Sequence, residues 1–184
     1  HRCVKNGLQF NLPVWRDCPD DRFLATGTQI RKKTPGRNIL VCPPSQKALS
    51  YWNVSLQEWL VETTDEIAKH TDRPIVIREK QKRHIRTNED TMEMALQRDV
   101  HCMVTYNSIA AVEALILGKP VFTMGPNAAK PLANTDLKRL ENPLMPVVDR
   151  VRDLCCNLAY GQFTPAEMID GTAWRLLEEF NERD

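Results

Sequence analysis

Several signatures are absent from this 184-residue chain, and each absence removes a class of function. No apolar run approaches the roughly 20 residues that a membrane-spanning helix requires, so no span is expected. G-x-x-x-x-G-K-[ST] is missing, because "GKP" puts Pro120 where the hydroxyl would stand. G-x-G-x-x-G and G-x-S-x-G are missing too. Those gaps disfavour P-loop enzymes, dehydrogenases and the common serine hydrolases. Charge of one sign is not in excess: Lys and Arg total 25 against 24 Asp and Glu, a formal net charge of +1. Nothing global therefore draws the chain to nucleic acid or anionic lipid, and any basic function must come from a local cluster. There is no C-x-x-C, and no Cys/His spacing fits zinc, so neither a metal site nor a cofactor is expected. Of the six cysteines, Cys42 and Cys102 sit in strand-like runs where a thiol acts as a small hydrophobe. Cys155 and Cys156 are adjacent on a helical pattern and point to different faces. That usage reads as a reduced protein of cytosolic type. The opening "HRCVKNGLQF" is not a signal peptide and lacks an initiator Met, as expected of a fragment or a trimmed chain.

What is present is a globular composition, 42% hydrophobic and 27% charged, with length for one α/β domain or a domain plus an extension. Residues 1–37 carry scattered aromatics and prolines with little periodicity, and read as an irregular arm or the remnant of a first domain. From Asn38 the pattern becomes regular. "NILVCPP", "RPIVIREK", "VHCMVTYN" and "PVFTMGP" are short apolar runs expected to be strands. Helical spacing follows Ser55, a candidate N-cap, and recurs over 91–97 and over 108–117, with Gly118 placed to end that last helix. The order β-α-β-α-β-α-β predicts a parallel sheet with right-handed crossovers. Its strands are continuous apolar runs, as in a sheet covered on both faces. Beyond Gly125 comes a polar connection with a short helix near 136–140, then amphipathic helices. Thr164, Pro165 and Glu167 read there as a capping box with Pro at the first helical position. The expected fold class is α/β: a Rossmann-like parallel sheet over residues 38–184, flanked by helices, with a helical C-terminal segment.

In such sheets ligands gather at the C-terminal ends of the strands. That rule selects the loops at 43–46, 78–86, 106–108 and 125–130, which together offer Ser45, Arg78, Lys80, Arg83, Asn107, Ser108, Asn127 and Lys130. Hydroxyls, amides and cations converge with almost no acid, chemistry suited to a phosphate or carboxylate. Glu113 is a carboxylate on an otherwise apolar helix and a candidate for the edge of the cleft. Structural roles stay open for each: Ser108 as a cap, Arg78 and Lys80 as a solvated strand exit, Glu113 as a solvated helix residue. His84 and His101 lack a nucleophile-and-carboxylate context and read as structural. The basic run from Lys80 to Arg86 carries no interleaved aromatics, so nucleic-acid binding through it is the weaker alternative.

The stretch "VTYNSIAAVEALILGKPVFTMGP" resembles the donor-binding half of GT-B glycosyltransferases, nearest the capsule-polysaccharide transferase group. UDP-GlcNAc 2-epimerases and CDP-glycerol phosphotransferases are more distantly similar. Val104-Thr105, Asn107-Ser108, Glu113-Ala114, Gly118 to Val121 and Gly125 carry the likeness, which covers residues 75–125. It implies a nucleotide-sugar substrate, with its phosphate at the Ser turn and its ribose or sugar near the helix acid. Two departures stand against it. Glu79-Lys80-Gln81 replaces the His-Pro loop of the transferases. Residues 1–37 are also too short to build the first of the two GT-B domains, which supplies the acceptor site. Either most of that domain is missing or the chain is a minimal single-domain relative. A non-catalytic nucleotide- or partner-binding module is the alternative. No catalytic base is assigned; Asp17, Asp20 and Asp136 are candidates only, and the acceptor is unidentified. As a whole, the chain resembles uncharacterised bacteriophage proteins, which implies host cytoplasm as its location.

Overall fold

The computed structural model describes residues 17–51, 53–79 and 91–179. In chain order the elements are α1 (Asp21–Leu24), β1 (Asn38–Cys42), α2 (Gln46–Tyr51), α3 (Leu56–Ala68), β2 (Ile75–Ile77) and α4 (Met92–Gln97). They continue with β3 (Val100–Thr105), α5 (Ala110–Ile116), β4 (Val121–Thr123), α6 (Val148–Tyr160), α7 (Pro165–Ile169) and α8 (Thr172–Glu179). The chain divides into two compact units. Ile30–Val148 forms one, and the described parts of His1–Gln29 and Asp149–Asp184 form the other.

The larger unit is the expected α/β fold. Its four strands lie in the order β2-β1-β3-β4, and every pairing is parallel. Ile39, Val41, Cys102, Val104 and Phe122 project from one face into a core completed by Ile67 of α3 and by Leu137 and Leu140, with Trp59, Leu60 and Ile75 packed around it. Leu40, Met103 and Val121 belong to the opposite face by alternation, where α4 and α5 pack. Burial of both faces is why β1, β3 and β4 read as unbroken apolar runs. The edge strand β2 departs from that expectation, with Val76 43% and Ile77 46% exposed.

Local chemistry sets the helix boundaries. The Ser55 hydroxyl accepts from the Glu58 N–H at 3.1 Å, and the Glu58 carboxylate accepts from the Ser55 N–H at 2.8 Å, a reciprocal cap that starts α3. Gly118 ends the α5 turn at φ 74°, and a Cβ there would lie 2.1 Å from the Lys32 carbonyl oxygen. Two short helices, α1 and α2, were not expected from the sequence; runs of 4 and 6 residues hold too few turns for a helical period to register. The outer edge of β4 is closed by Asn134, which bridges to Phe122. Its backbone N–H donates to the Val121 carbonyl and its carbonyl accepts from Thr123. Its side-chain amide donates to the Val121 and Leu144 carbonyls at 3.1 and 2.9 Å and accepts from the Leu144 N–H at 3.0 Å.

The smaller unit is helical, as expected of the C-terminal segment. Thr164 and Glu167 form the capping box with Pro165 in the first turn. Arg22 ties α1 in: it pairs with Glu167, donates to the Gln162 carbonyl at 2.9 Å, and lies over the Tyr160 ring at 4.8 Å. The Tyr160 hydroxyl donates to Asp21 at 2.8 Å.

At the N-terminal end of the sheet, β3 places His101 between the partners of Asn38 and Ile39, a bulge that turns its ring out of the ladder. His101 Nε2 donates to the Leu140 carbonyl at 2.8 Å. Burial, with Arg73 nearby, holds its pKa below the ordinary imidazole value despite that bond. The unfolded chain therefore takes up this proton first, and stability should fall as pH drops below about 6.5. Urea titrations of His101→Gln, which keeps an N–H donor, should show a shallower loss over that window than the unmodified protein. Asn134→Ala should cost about 1–2 kcal/mol, because it removes the side-chain amide bonds to Leu144 while the backbone bond to the Val121 carbonyl stays, read as a lower urea midpoint at unchanged slope.

Candidate functional site

The strand register builds a row of side chains across the C-terminal end of the sheet. Cys42 pairs with Thr105, and Thr105 pairs with Thr123. Ile77 pairs with Val41, so Arg78, the next residue, stands beside Cys42; its N–H donates to the Val41 carbonyl at 2.9 Å. Paired residues of a parallel ladder share a face, so Arg78, Cys42, Thr105 and Thr123 line up on the α4/α5 side. The electrostatics agree. Burial pushes the Cys42 thiol up to about 12, Arg78 pulls the other way, and Glu113 from α5 adds to the rise. Arg78 by strand register and Glu113 by its charge both act on the Cys42 thiol at the end of β1, and both belong to the predicted set.

Within the row, the Thr105 hydroxyl donates to the Cys42 carbonyl at 2.7 Å. Thr123 is 3% exposed, yet its hydroxyl has no hydrogen-bond partner among the described residues. A buried hydroxyl of that kind costs on the order of 1–3 kcal/mol and is uncommon in folded proteins. Sequence reasoning passed over Thr105 and Thr123, which read as ordinary strand residues; only the pairing register sets them beside Arg78.

The Asn-Ser turn sits at the end of β3. The Ser108 hydroxyl accepts from the Ala110 N–H at 3.3 Å, and the Ser108 carbonyl accepts from the Ala111 N–H at 3.2 Å. Asn127, 4% exposed, donates from its amide to the Ser108 carbonyl at 3.0 Å and accepts from the Ala129 N–H at 2.9 Å. It braces the turn from the loop after β4, and both ends of its amide are engaged within the protein. The helix runs over Ala110–Ile116 with Ile109 as its N-cap, so it is shorter than the expected 108–117 and Ser108 precedes the cap. Asn107 and Ser108 are half-buried.

Tyr106, also overlooked in the sequence, packs against Gly125. A Cβ at Gly125 would meet two Tyr106 ring carbons at 2.4 and 2.5 Å, so only glycine lets the β3 and β4 exits approach this closely. Its signal was available: an aromatic residue leaving one strand and a glycine leaving the next.

The remaining candidates lie further from this row in function. Ser45 is exposed, and its hydroxyl accepts from the Ala48 N–H at 3.4 Å. Lys130 is exposed at the start of a short 3-10 turn. Lys80 and Arg83, with the rest of the basic run, lie outside the described residues. Asp136 accepts from the Lys138 N–H at 3.0 Å and caps another 3-10 turn. Asp17 and Asp20 belong to the smaller unit. The lysine of the Gly-Lys-Pro turn works at the opposite end of the sheet. Buried Lys119 donates to the Val100 carbonyl at 2.8 Å, and burial lowers its pKa. Among the described residues, no cluster of His, Cys, Asp and Glu suits a metal ion, and no helix is long and apolar enough to cross a membrane.

No protein-family model and no curated protein matches the sequence. What is established is the four-stranded parallel α/β sheet and the polar row at its edge.

With its thiol pushed up to about 12, Cys42 is an inert part of the row, not a nucleophile. Alkylation of the native protein at mildly alkaline pH should leave Cys42 unmodified by peptide mass mapping, whereas unfolding in urea should expose it. Rapid native labelling would show that the row is open to solvent.

Proposed function

We propose that the C-terminal edge of the sheet binds a nucleotide-sugar or a related phosphorylated small molecule, and that the protein acts as a GT-B-like glycosyltransferase. The observation that carries this reading is the buried Thr123 hydroxyl, which has no hydrogen-bond partner among the described residues, in a row whose register runs through Thr105 and Cys42 to Arg78. An anion alone would be repelled by Glu113. A ligand with a phosphate beside Arg78 and a hydroxyl beside Glu113 would suit the charge of each, and a nucleotide-sugar carries both groups on one molecule. The braced Ser108 turn would then hold a phosphate oxygen through its hydroxyl. Asn107 in that turn, Lys130 in the loop after β4 and Ser45 in the loop after β1 would add further polar contacts. Arg78 would stabilise the charge that develops on the leaving nucleotide phosphate, and because the fold orders it beforehand little reorganisation is needed at reaction. Residues 38–184 would form the donor-binding domain.

A binding module without turnover is the second reading. The engagement of the Asp136 carboxylate in a cap favours it, since that leaves one fewer candidate base.

Calorimetry against UDP-, CMP- and GDP-sugars tests the site. Arg78→Ala and Ser108→Ala should each weaken binding about tenfold or more, that is by roughly 1.4 kcal/mol. Glu113→Gln should weaken binding of the sugar nucleotide while leaving inorganic phosphate bound as well or better. Wild-type affinity in the Arg78 and Ser108 variants would place the ligand elsewhere. Product formation from a bound donor separates transferase from binding module.

A further inference from the structure

We infer that Cys18 and Cys156 are a redox pair, oxidised together by a small external disulfide, and that the bond so formed staples the segment around α1 to α6. The inference concerns the smaller unit alone and is independent of any ligand at the strand ends.

The segment that carries α1 docks along one face of α6, and its contacts advance in step. Cys18 Sγ donates to Asn157 Oδ1 at 3.7 Å. Three residues further on each element, Asp21 accepts from the Tyr160 hydroxyl at 2.8 Å. Residues three and four apart share a helix face, so Asp153, Cys156, Asn157 and Tyr160 form one stripe of α6, the stripe that meets this segment. The Asn157 amide holds to it by donating to the Asp153 carbonyl at 2.8 Å. Cys155 falls instead with Val151, Leu154 and Leu158 among the buried apolar residues of the helix. The electrostatics agree with this placement. Burial is the main cause that raises the Cys156 thiol, and the charges of Asp20, Cys18 and Asp153 add to it in that order.

Both residues are thiols in the structure, and they differ in access. Cys18 is half-buried, whereas Cys156 is 3% exposed. Exchange with a small disulfide, RSSR, therefore starts at Cys18. Its thiol loses a proton to water and attacks one sulfur of RSSR, giving a mixed disulfide and RS⁻. The Cys156 thiol then loses its proton and attacks the Cys18 sulfur, which expels the second RS⁻. The released thiolates take up the two protons, so two protein thiols are oxidised while one RSSR becomes two RSH. Disulfides of this kind in a reducing compartment are transient and redox-sensing. The cross-link joins positions far apart in the chain, where restriction of the unfolded state is greatest.

The full chain, incubated with oxidised glutathione and then alkylated, is read by peptide mass mapping. A Cys18–Cys156 cross-linked peptide should dominate, and the oxidised protein should unfold at a higher urea midpoint that dithiothreitol returns to its starting value. Cys156→Ser should stop at a stable glutathione adduct on Cys18. Cys18→Ser should leave Cys156 unmodified, and both variants should keep native circular dichroism. Glutathione retained on Cys18 of the unmodified chain overturns the inference, because the two sulfurs then do not meet. So does an unreactive Cys18, or a bond from Cys18 to any other cysteine. A Cys18–Cys156 bond that leaves the urea midpoint unchanged overturns the staple.

Discussion

The pairing of β1 with β3 is the interaction on which the remainder of the larger unit depends. These two strands form the middle of the sheet, and each is buried along nearly its whole length. Their register past the His101 bulge sets Ile39 against Cys102 and Cys42 against Thr105. Because side chains alternate, a slip of one residue would send the core set to the wrong face. The same register decides what stands at the sheet's end. Arg78 reaches the row through β2, Thr123 through β4, and Glu113 through the crossover helix between β3 and β4. The candidate site is thus a by-product of core packing, set in place before any ligand arrives.

The two ends of the sheet treat polar groups in opposite ways. At the N-terminal end, Lys119 spends its charge on the Val100 carbonyl, His101 bonds Leu140, and Arg73 meets Glu141 at 3.0 Å and the Gly36 carbonyl at 3.2 Å. Those groups are satisfied inside the protein and hold the connection before β1 against the sheet. At the C-terminal end, Thr123 keeps a buried hydroxyl with no partner among the described residues, while Asn127 uses both ends of its amide to brace the Ser108 turn. An end that is fully satisfied stabilises the fold; an end with capacity left over is where a ligand gains most.

Much of the fold was legible because it rests on local periodicity. Apolar runs of strand length alternating with helical spacing called for a parallel α/β sheet, and the Ser55, Thr164 and Gly118 boundaries follow from capping chemistry and from positive φ. α1 and α2 were not legible, since neither is long enough to display a period. The start of α5 was misjudged by two residues because a serine before a helix can bond a backbone N–H without being its N-cap. Site chemistry was legible in part. Arg78, Ser108 and Glu113 stand out as polar residues at strand and helix ends, whereas Thr105, Thr123 and Tyr106 look like ordinary members of apolar segments.

The sequence by itself determined the class of fold, the ends of most helices and the absence of the familiar phosphate-loop, dinucleotide and zinc motifs, because each depends on residues close together along the chain. Only the tertiary structure decided which residues share an edge. Arg78, Cys42, Thr105, Thr123 and Glu113 come from four strands and a helix, and their meeting depends on strand order and register. It also decided that the β4 margin of the sheet is closed by Asn134. Strand order is set by the summed burial of distant apolar surfaces, a long-range quantity that no short stretch of sequence carries.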